Sequence, residues 1–338
     1  MPFFFQRTEV AQSTKFVMAT STENHVTVLW AKGTLQNSAH DFTVPIDSTL
    51  VTLIFALSSD IHGTTLEVAG PDGAAVDRNA EVTDFTCGRY IVLKKPAPGA
   101  YRVHVSGSGH FWLTVGGKSG IFLSGVEFVE LGGRPGHEGM FPIHGEPLFG
   151  KQAHLEASIS GDAKQVAFGL MTPEGGTGNT ISLKIISTDQ YSQEFEGGLD
   201  LPREPFRVVA SGVDASGYRF QRVHDALARP TSIAINLTKM PKLGAGQTSE
   251  FTFQVTNLGD AGAFRLSAIC AKQWTSQLDR TEIVLARGES ARVVVNVSVP
   301  AGTDAYASNN LIFSATSKAD ALVSNAFVQH LSLDPDDR

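Results

Sequence analysis

Apolar and polar residues alternate along this 338-residue chain in short runs, and glycine, proline, aspartate and serine separate the runs. That period of two predicts half-buried strands joined by turns. His25–Trp30 opens the series, and Phe42, Val44 and Ile46 then alternate with Thr43 and Pro45. Leu50–Leu57 is a continuous run rich in β-branched and aromatic residues, bounded by Ser58-Ser59-Asp60. Its length and its boundaries predict a buried strand rather than a helix. Thr64–Val68 follows and ends in Gly70-Pro71-Asp72-Gly73, where proline pre-sets φ and glycine permits φ > 0. Arg89–Leu93, Tyr101–Val105 and Phe111–Val115 come next, with turns expected at Lys95–Gly99 and at Ser106-Gly-Ser-Gly109. This spacing predicts a first β-sandwich over residues 24–118, behind a flexible lead at 1–23.

A second series begins near Gly120 with Ile121, Leu123, Val126 and Phe128. After a Gly/Pro-rich crossing at 132–150 come Leu155–Ile159, Val166–Leu170, Ile181–Ile186 and a hairpin over Phe206–Val223. Turns are expected at Thr172–Gly178, at Gly197-Gly198, and in the hairpin around Gly212, Asp214, Ser216 and Gly217. These elements predict a second sandwich over 119–230. Arg229-Pro230-Thr231 marks a boundary, and strands centred on Ile235, Phe253, Leu266, Val284, Val295, Phe313 and Val328 predict an immunoglobulin-like sandwich over 231–334. The fold class expected is all-β: tandem antiparallel sandwiches, the last one immunoglobulin-like. Helical periodicity is confined to single turns at 224–229 and 320–325.

Composition agrees with this reading. Charged residues are 18% of the chain and hydrophobic residues 42%, so self-repulsion does not keep it unfolded. The net charge is −7 and no basic stripe exists, which argues against a nucleic-acid partner. The two cysteines, Cys87 and Cys270, fall in different expected domains and read as buried free thiols rather than a disulfide. No window reaches the ~18 apolar residues of a membrane span. The opening Met-Pro-Phe-Phe-Phe is too short for a signal h-region. Whether a leader has been removed is left open.

Candidate chemistry is sparse. His137, Glu138, His144 and Glu146 lie in the 132–150 crossing, but their spacing is not that of a zinc helix, and a connector is the simpler account. Gly116-Gly-Lys118-Ser119 lacks the upstream glycine of a phosphate loop, since Trp112 stands there. Ser108 beside His110 has no oxyanion support, and no nucleophile elbow exists. Asp47, Asp60, Asp72 and Asp214 sit at turns, where turn chemistry explains them better than calcium. No catalytic residue, cofactor or metal ligand is therefore assigned. Asn236-Leu-Thr238 and Asn296-Val-Ser298 are N-glycosylation triplets, and Asn296 should face solvent between core-facing Val295 and Val297.

Residues from about 40 to 230 resemble the β-rich region that follows the von Willebrand A domain in hemicentins and related extracellular matrix proteins. The matching pieces are Phe42-Thr-Val-Pro-Ile-Asp47-Ser-Thr-Leu50, Leu66-Glu-Val-Ala-Gly-Pro71-Asp-Gly73, Pro98-Gly99 with Tyr101–Gly107, and Pro142-Ile-His-Gly145-Glu-Pro147. The most specific piece is Val209–Val223, with Gly212, Asp214, Tyr218, Phe220 and Arg222. Residues 232–333 resemble immunoglobulin-like modules with an Asn-x-Gly turn, here Asn257-Leu-Gly259. The resemblance implies an extracellular or cell-surface scaffold and carries no catalysis. The metal-adhesion motif of A domains is missing: Asp214-Ala-Ser-Gly-Tyr218 lacks its last serine. Whether an A domain preceded this chain is left open too.

The function expected is that of a non-enzymatic structural or adhesion protein, extracellular or at the cell surface, contacting protein partners through sandwich surfaces. The alternative is a carbohydrate- or ligand-binding module with Trp30, Trp112 or Trp274 as platform. A hydrolase with an atypical site ranks last. Buried tryptophans would favour the first reading and exposed ones the second. The oligomeric state is not assigned.

Overall fold

The computed structural model describes residues 24–134, 136–304 and 306–333. The lead at 1–23 and the charged end Asp334–Arg338 lie outside the described residues. The described chain is all-β, apart from a short 3-10 turn at Val76–Asn79. The segment 320–325 holds a single turn, closed by the Val323 N–H on the Asp320 carbonyl, and 224–229 holds none. The chain divides into two compact units. The first takes the chain to Phe128 with His154–Leu199 and Pro205–Leu227; the second takes Val129–Ala153, Asp200–Glu204 and the chain from Ala228 on.

The first unit is built on two very long strands, β1 (His25–Ile46) and β6 (Gly99–Lys118). Between them in sequence lie β2 (Thr52–Ser59), β3 (Thr65–Ala69), β4 (Glu81–Phe85) and β5 (Gly88–Lys94). β1 and β6 pair from His25↔Lys118 to Ile46↔Gly99. At ~3.3 Å per residue such a ribbon outruns any sandwich, so it must bend. It bends at the level of Gln36–Ser38, where the register shifts and Asn37, Gly107 and Gly109 take positive φ. The turn expected at Ser106–Gly109 is instead part of β6, which continues through it with a bulge. Glycine supplies positive φ for a bulge as readily as for a hairpin. Before the bend β6 pairs with β3, and after it with β2. The same two strands thus close both layers around one core of Val44, Val103 and Leu66 with Phe55, Leu113 and Val115.

The chain continues through β7 (Phe122–Gly132), β8 (Gly139–Pro142), β9 (Gln152–Ser160), β10 (Ala163–Met171), β11 (Thr177–Ile181), β12 (Lys184–Thr188) and β13 (Ser192–Asp200). The hairpin β14 (Arg207–Asp214) and β15 (Arg219–Val223) follows, and its turn closes on Gly217 at φ 86°. β15 pairs with β1 at Thr27↔Val223, so the sheet order is β11-β10-β14-β15-β1-β6-β2-β5-β4. A second sheet runs β12-β13-β9-β7. The expected boundary between 118 and 119 therefore falls inside a shared sheet. Val208, Val209 and Ala210 show why. Val209, its pair Val223 and Met171 belong to the first core. Val208 and Ala210 face the other way, in register with Leu170 and Phe168. Phe168 meets Phe195 of β13 edge-on at 4.9 Å. A strand buried on both faces reads as an unbroken apolar run, and this one does.

Gly197-Gly198 is also strand rather than turn, inside β13. A Cβ on Gly197 would stand 2.6 Å from the Ser182 carbonyl oxygen, so the glycine permits a close approach.

In the second unit, β16 (Ile233–Lys239), β17 (Thr248–Asn257), β19 (Thr275–Leu278) and β21 (Ser290–Ser298) form one sheet in the order β16-β17-β21-β19. β18 (Gly262–Cys270), β20 (Glu282–Leu285), β22 (Ser308–Ser317) and β23 (Ser324–Ser332) form the other, in the order β20-β18-β22-β23. This is the immunoglobulin-like sandwich expected, with β19 as the strand that the pattern did not predict. Phe253 and Phe313 stack across it at 4.4 Å, and Trp274 is buried in the same core. Each such phenylalanine contributes roughly 1.5–3 kcal/mol by leaving water.

Candidate functional site

The most connected polar centre of the first unit lies where the hairpin meets the loop after β1. Arg222 Nη2 donates to Asp47 Oδ2 at 2.8 Å and to Ser119 Oγ at 2.6 Å. Its Nε donates to the Ile121 carbonyl and its Nη1 to the Gln221 carbonyl, both at 2.8 Å. Asp47 is fully buried and Arg222 is 1% exposed. Asp47 also accepts from the backbone and hydroxyl of Thr49. One residue on, Ser48 donates through its N–H and its hydroxyl to Asp214 Oδ2, while Asp214 Oδ1 accepts from the Tyr218 N–H. Burial pulls the Arg222 guanidinium below its ordinary value, and the Asp47 carboxylate opposes that. Burial pushes the Asp214 carboxyl up, and its hydrogen bonds from Ser48, Tyr218 and Ser216 outweigh this, leaving it below the usual range. Arg222, Asp47, Ser48 and Asp214 are engaged with one another and with the backbone, so the centre ties the loop after β1 to the hairpin. Sequence reasoning named Asp47, Asp214 and the hairpin separately but did not pair Arg222 with Asp47. A buried arginine on an otherwise apolar strand was the signal available.

The other sequence-derived candidates resolve into structural roles. Asp60 accepts from both the backbone N–H and the ring of His110, and Asp72 accepts from the Ala74 N–H. The Ser108 hydroxyl donates to Asn37 rather than to His110. Gly116 and Gly117 lie inside β6, where a Cβ would strike the carbonyls of Val26 and Thr52, so they serve strand packing. In the second unit the His144 ring stacks on Phe327 at 3.9 Å. The Glu146 carboxylate accepts from the Arg229 N–H at 2.7 Å. Among the described residues, no three His, Cys, Asp or Glu side chains gather in a metal-holding geometry. Cys87 and Cys270 form no disulfide and are half-buried, less enclosed than expected.

The tryptophans are not open platforms. Trp274 is in the second unit's core. Trp30 is half-buried with the Arg207 guanidinium 4.6 Å above its ring, and Trp112 is half-buried too. Asn236 and Asn296 both project from the outer face of the β16-β17-β21-β19 sheet, opposite Gln254 and Glu250 in register. Val295 and Val297 face the core, as the alternation predicted.

Besides a cleft of about 340 Å³ lined by Pro71, Asp72, Lys95 and Tyr101, two smaller ones mark the first unit. A polar one of about 200 Å³ is lined by His25, Thr27, Phe122, His224 and Asp225, with Arg222 at its edge. Burial lowers both histidines, and Asp225 partly offsets this in each. The other, about 220 Å³, lies across β7, β9, β13 and β12, with Gly125, Glu127, Glu156, Ser158, Ile186 and Glu194 in its lining. Beside it runs β12, an edge strand with all five residues exposed, Ile185 at 59% and Ile186 at 52%.

No family model matches the chain, and no curated protein matches it. Among solved structures, it is similar to a DUF4785 family protein from Legionella pneumophila at 13% identity and TM-score 0.42, covering 98% of each chain. A Bacillus licheniformis lipase in propeptide form matches at 10% identity and TM-score 0.30, covering 69% of this chain and 42% of that one. The mouse nectin-like molecule 4 ectodomain matches at 9% identity and TM-score 0.20, covering 90% and 97%. No helix among the described residues is long and apolar enough to cross a membrane.

Proposed function

We propose that this protein is a non-enzymatic binding scaffold, extracellular or at the cell surface, that contacts protein partners through the faces and edges of its β-sandwiches. The observation that carries the reading is β12. An edge strand offers a row of unpaired backbone groups, and natural sheets ordinarily cover or charge such an edge. Here two adjacent isoleucines stand in water on it, next to a groove in the same sheet. Strand edges and adjoining grooves are a recurring means of holding an extended partner segment. The resemblance of residues 40–230 to the hemicentin β-rich region supports the extracellular setting. The buried Trp274 and the half-buried Trp30 and Trp112 weigh against the glycan-binding alternative.

The test is affinity capture from the native extracellular fraction, comparing the wild-type chain with an Ile185→Lys/Ile186→Glu variant. The reading expects a defined protein recovered by the wild type and lost with the variant. A glycan array showing micromolar binding that Trp30→Ala abolishes would overturn it.

A further inference from the structure

The groove on the β12-β13-β9-β7 sheet has a composition that specifies its occupant. Its floor is apolar or bare: Gly125 leaves a dent, and Ile186 stands at the side. Its walls carry Glu127, Glu156 and Glu194, one each from β7, β9 and β13. Among the described residues none of the three pairs with a cation. Lys184 on β12 stands in register with Glu196 and does not line the groove. The three carboxylates share one sign and line one dent, which a cationic partner would complement. At about 220 Å³ the space falls short of the ~300 Å³ at which small-molecule pockets begin, and it is open along the sheet face. Its size suits one or two side chains of a longer molecule.

Resting on the scaffold reading above, we propose that this groove docks an extended protein segment that places an aliphatic side chain over Gly125 and lysine or arginine side chains against Glu127, Glu156 and Glu194. The aliphatic group gains burial, and the cations neutralise the carboxylates that the fold leaves unpaired. Cations at the rim act mainly on encounter rate and on the choice between partners, so binding weakens as salt rises.

The probes are three capped six-residue peptides of alternating sequence, Lys-Val, Ser-Val and Glu-Val, titrated onto the full chain by calorimetry at low and moderate salt. Two variants isolate the contributions. Gly125→Leu fills the dent; the nearest atom to a Cβ there is Ser158 Cβ at 3.7 Å, an ordinary contact, so the fold accepts it. Glu127→Gln/Glu156→Gln/Glu194→Gln removes the charges at constant size. The proposal expects the Lys-Val peptide to bind at least about tenfold more tightly than Ser-Val, and each variant to lose about that factor. Equal affinity for Lys-Val and Glu-Val, or an affinity that neither variant changes, overturns it. Binding of Ser-Val or Glu-Val that Gly125→Leu abolishes would keep the groove as a docking surface and overturn its cationic specificity. Failure of all three peptides overturns the groove proposal, while the Ile185→Lys/Ile186→Glu capture decides the scaffold reading separately.

Discussion

The guanidinium of Arg222 and the carboxylate of Asp47 meet at 2.8 Å in the buried interior of the first unit, although 175 residues separate them in the chain. Asp47 follows the first strand and Arg222 sits in the last. Their contact, reinforced by Ser119 and by the Ser48–Asp214 bonds next to it, ties the loop after β1 to the closing hairpin. Removing one partner strands the other charge in a low-dielectric site, which typically costs 3–5 kcal/mol. Arg222→Met and Asp47→Asn are each expected to lower the urea midpoint accordingly. The double variant Arg222→Met/Asp47→Asn should lose less than the sum of the two single losses. Additive losses would show that the two side chains do not act as a pair.

The bend of the β1–β6 ribbon depends on Gly109, which holds φ at 86° and lies where a Cβ would strike Asp60 and Ile61. Gly109→Val is expected to destabilise the first unit by about 2 kcal/mol or more, since the conformation and the space both oppose it. Gly217→Val in the hairpin turn, with a similar φ but open surroundings, should cost less. Denaturant unfolding of the two variants measures the difference.

The polar cleft makes stability depend on pH. Burial holds His25 and His224 below the ordinary histidine value, and the charged groups facing them are Asp225, Arg207 and Arg222. The unfolded chain therefore binds more protons than the folded one as pH falls through about 6.5. The stabilisation is complete above that pH and is lost below it. Thermal midpoints are expected to fall between about pH 7.5 and pH 5.5. A His25→Gln/His224→Gln variant should show a shallower fall. Asp214, lowered by its hydrogen bonds, adds a separate loss only in the acid range below about pH 4.

Much of this architecture was legible in the sequence, because a period of two and turn residues report local structure. The third sandwich came out nearly strand for strand. The tight turn at Asp214–Gly217 did too, since its chemistry is local: Gly217 donates to the Asp214 carbonyl, and Tyr218 to the Asp214 side chain. What misled were glycines with two uses. Gly107 and Gly109 signalled a turn and proved to be a bend, and Gly197 proved to be a place where another backbone comes close. Nor did the pattern reveal that Val208, Val209 and Ala210 are covered from both sides. A continuous apolar run states burial but does not say how many cores supply it. The groove was illegible for the same reason: Glu127, Glu156 and Glu194 are ordinary outward-facing residues until β7, β9 and β13 are laid side by side.

Residues 24–128, 154–199 and 205–227 form one compact body around the β14–β15 hairpin, rather than two sandwiches in series, and are expected to unfold together. Native-state hydrogen exchange across a denaturant series tests it most directly. Amides of β2 and β6, such as Phe55 and Val115, and amides of β10 and β14, such as Phe168 and Ala210, are expected to converge on one opening free energy with one denaturant slope. Two separate isotherms, one for β2 and β6 and another for β10 and β14, would contradict it.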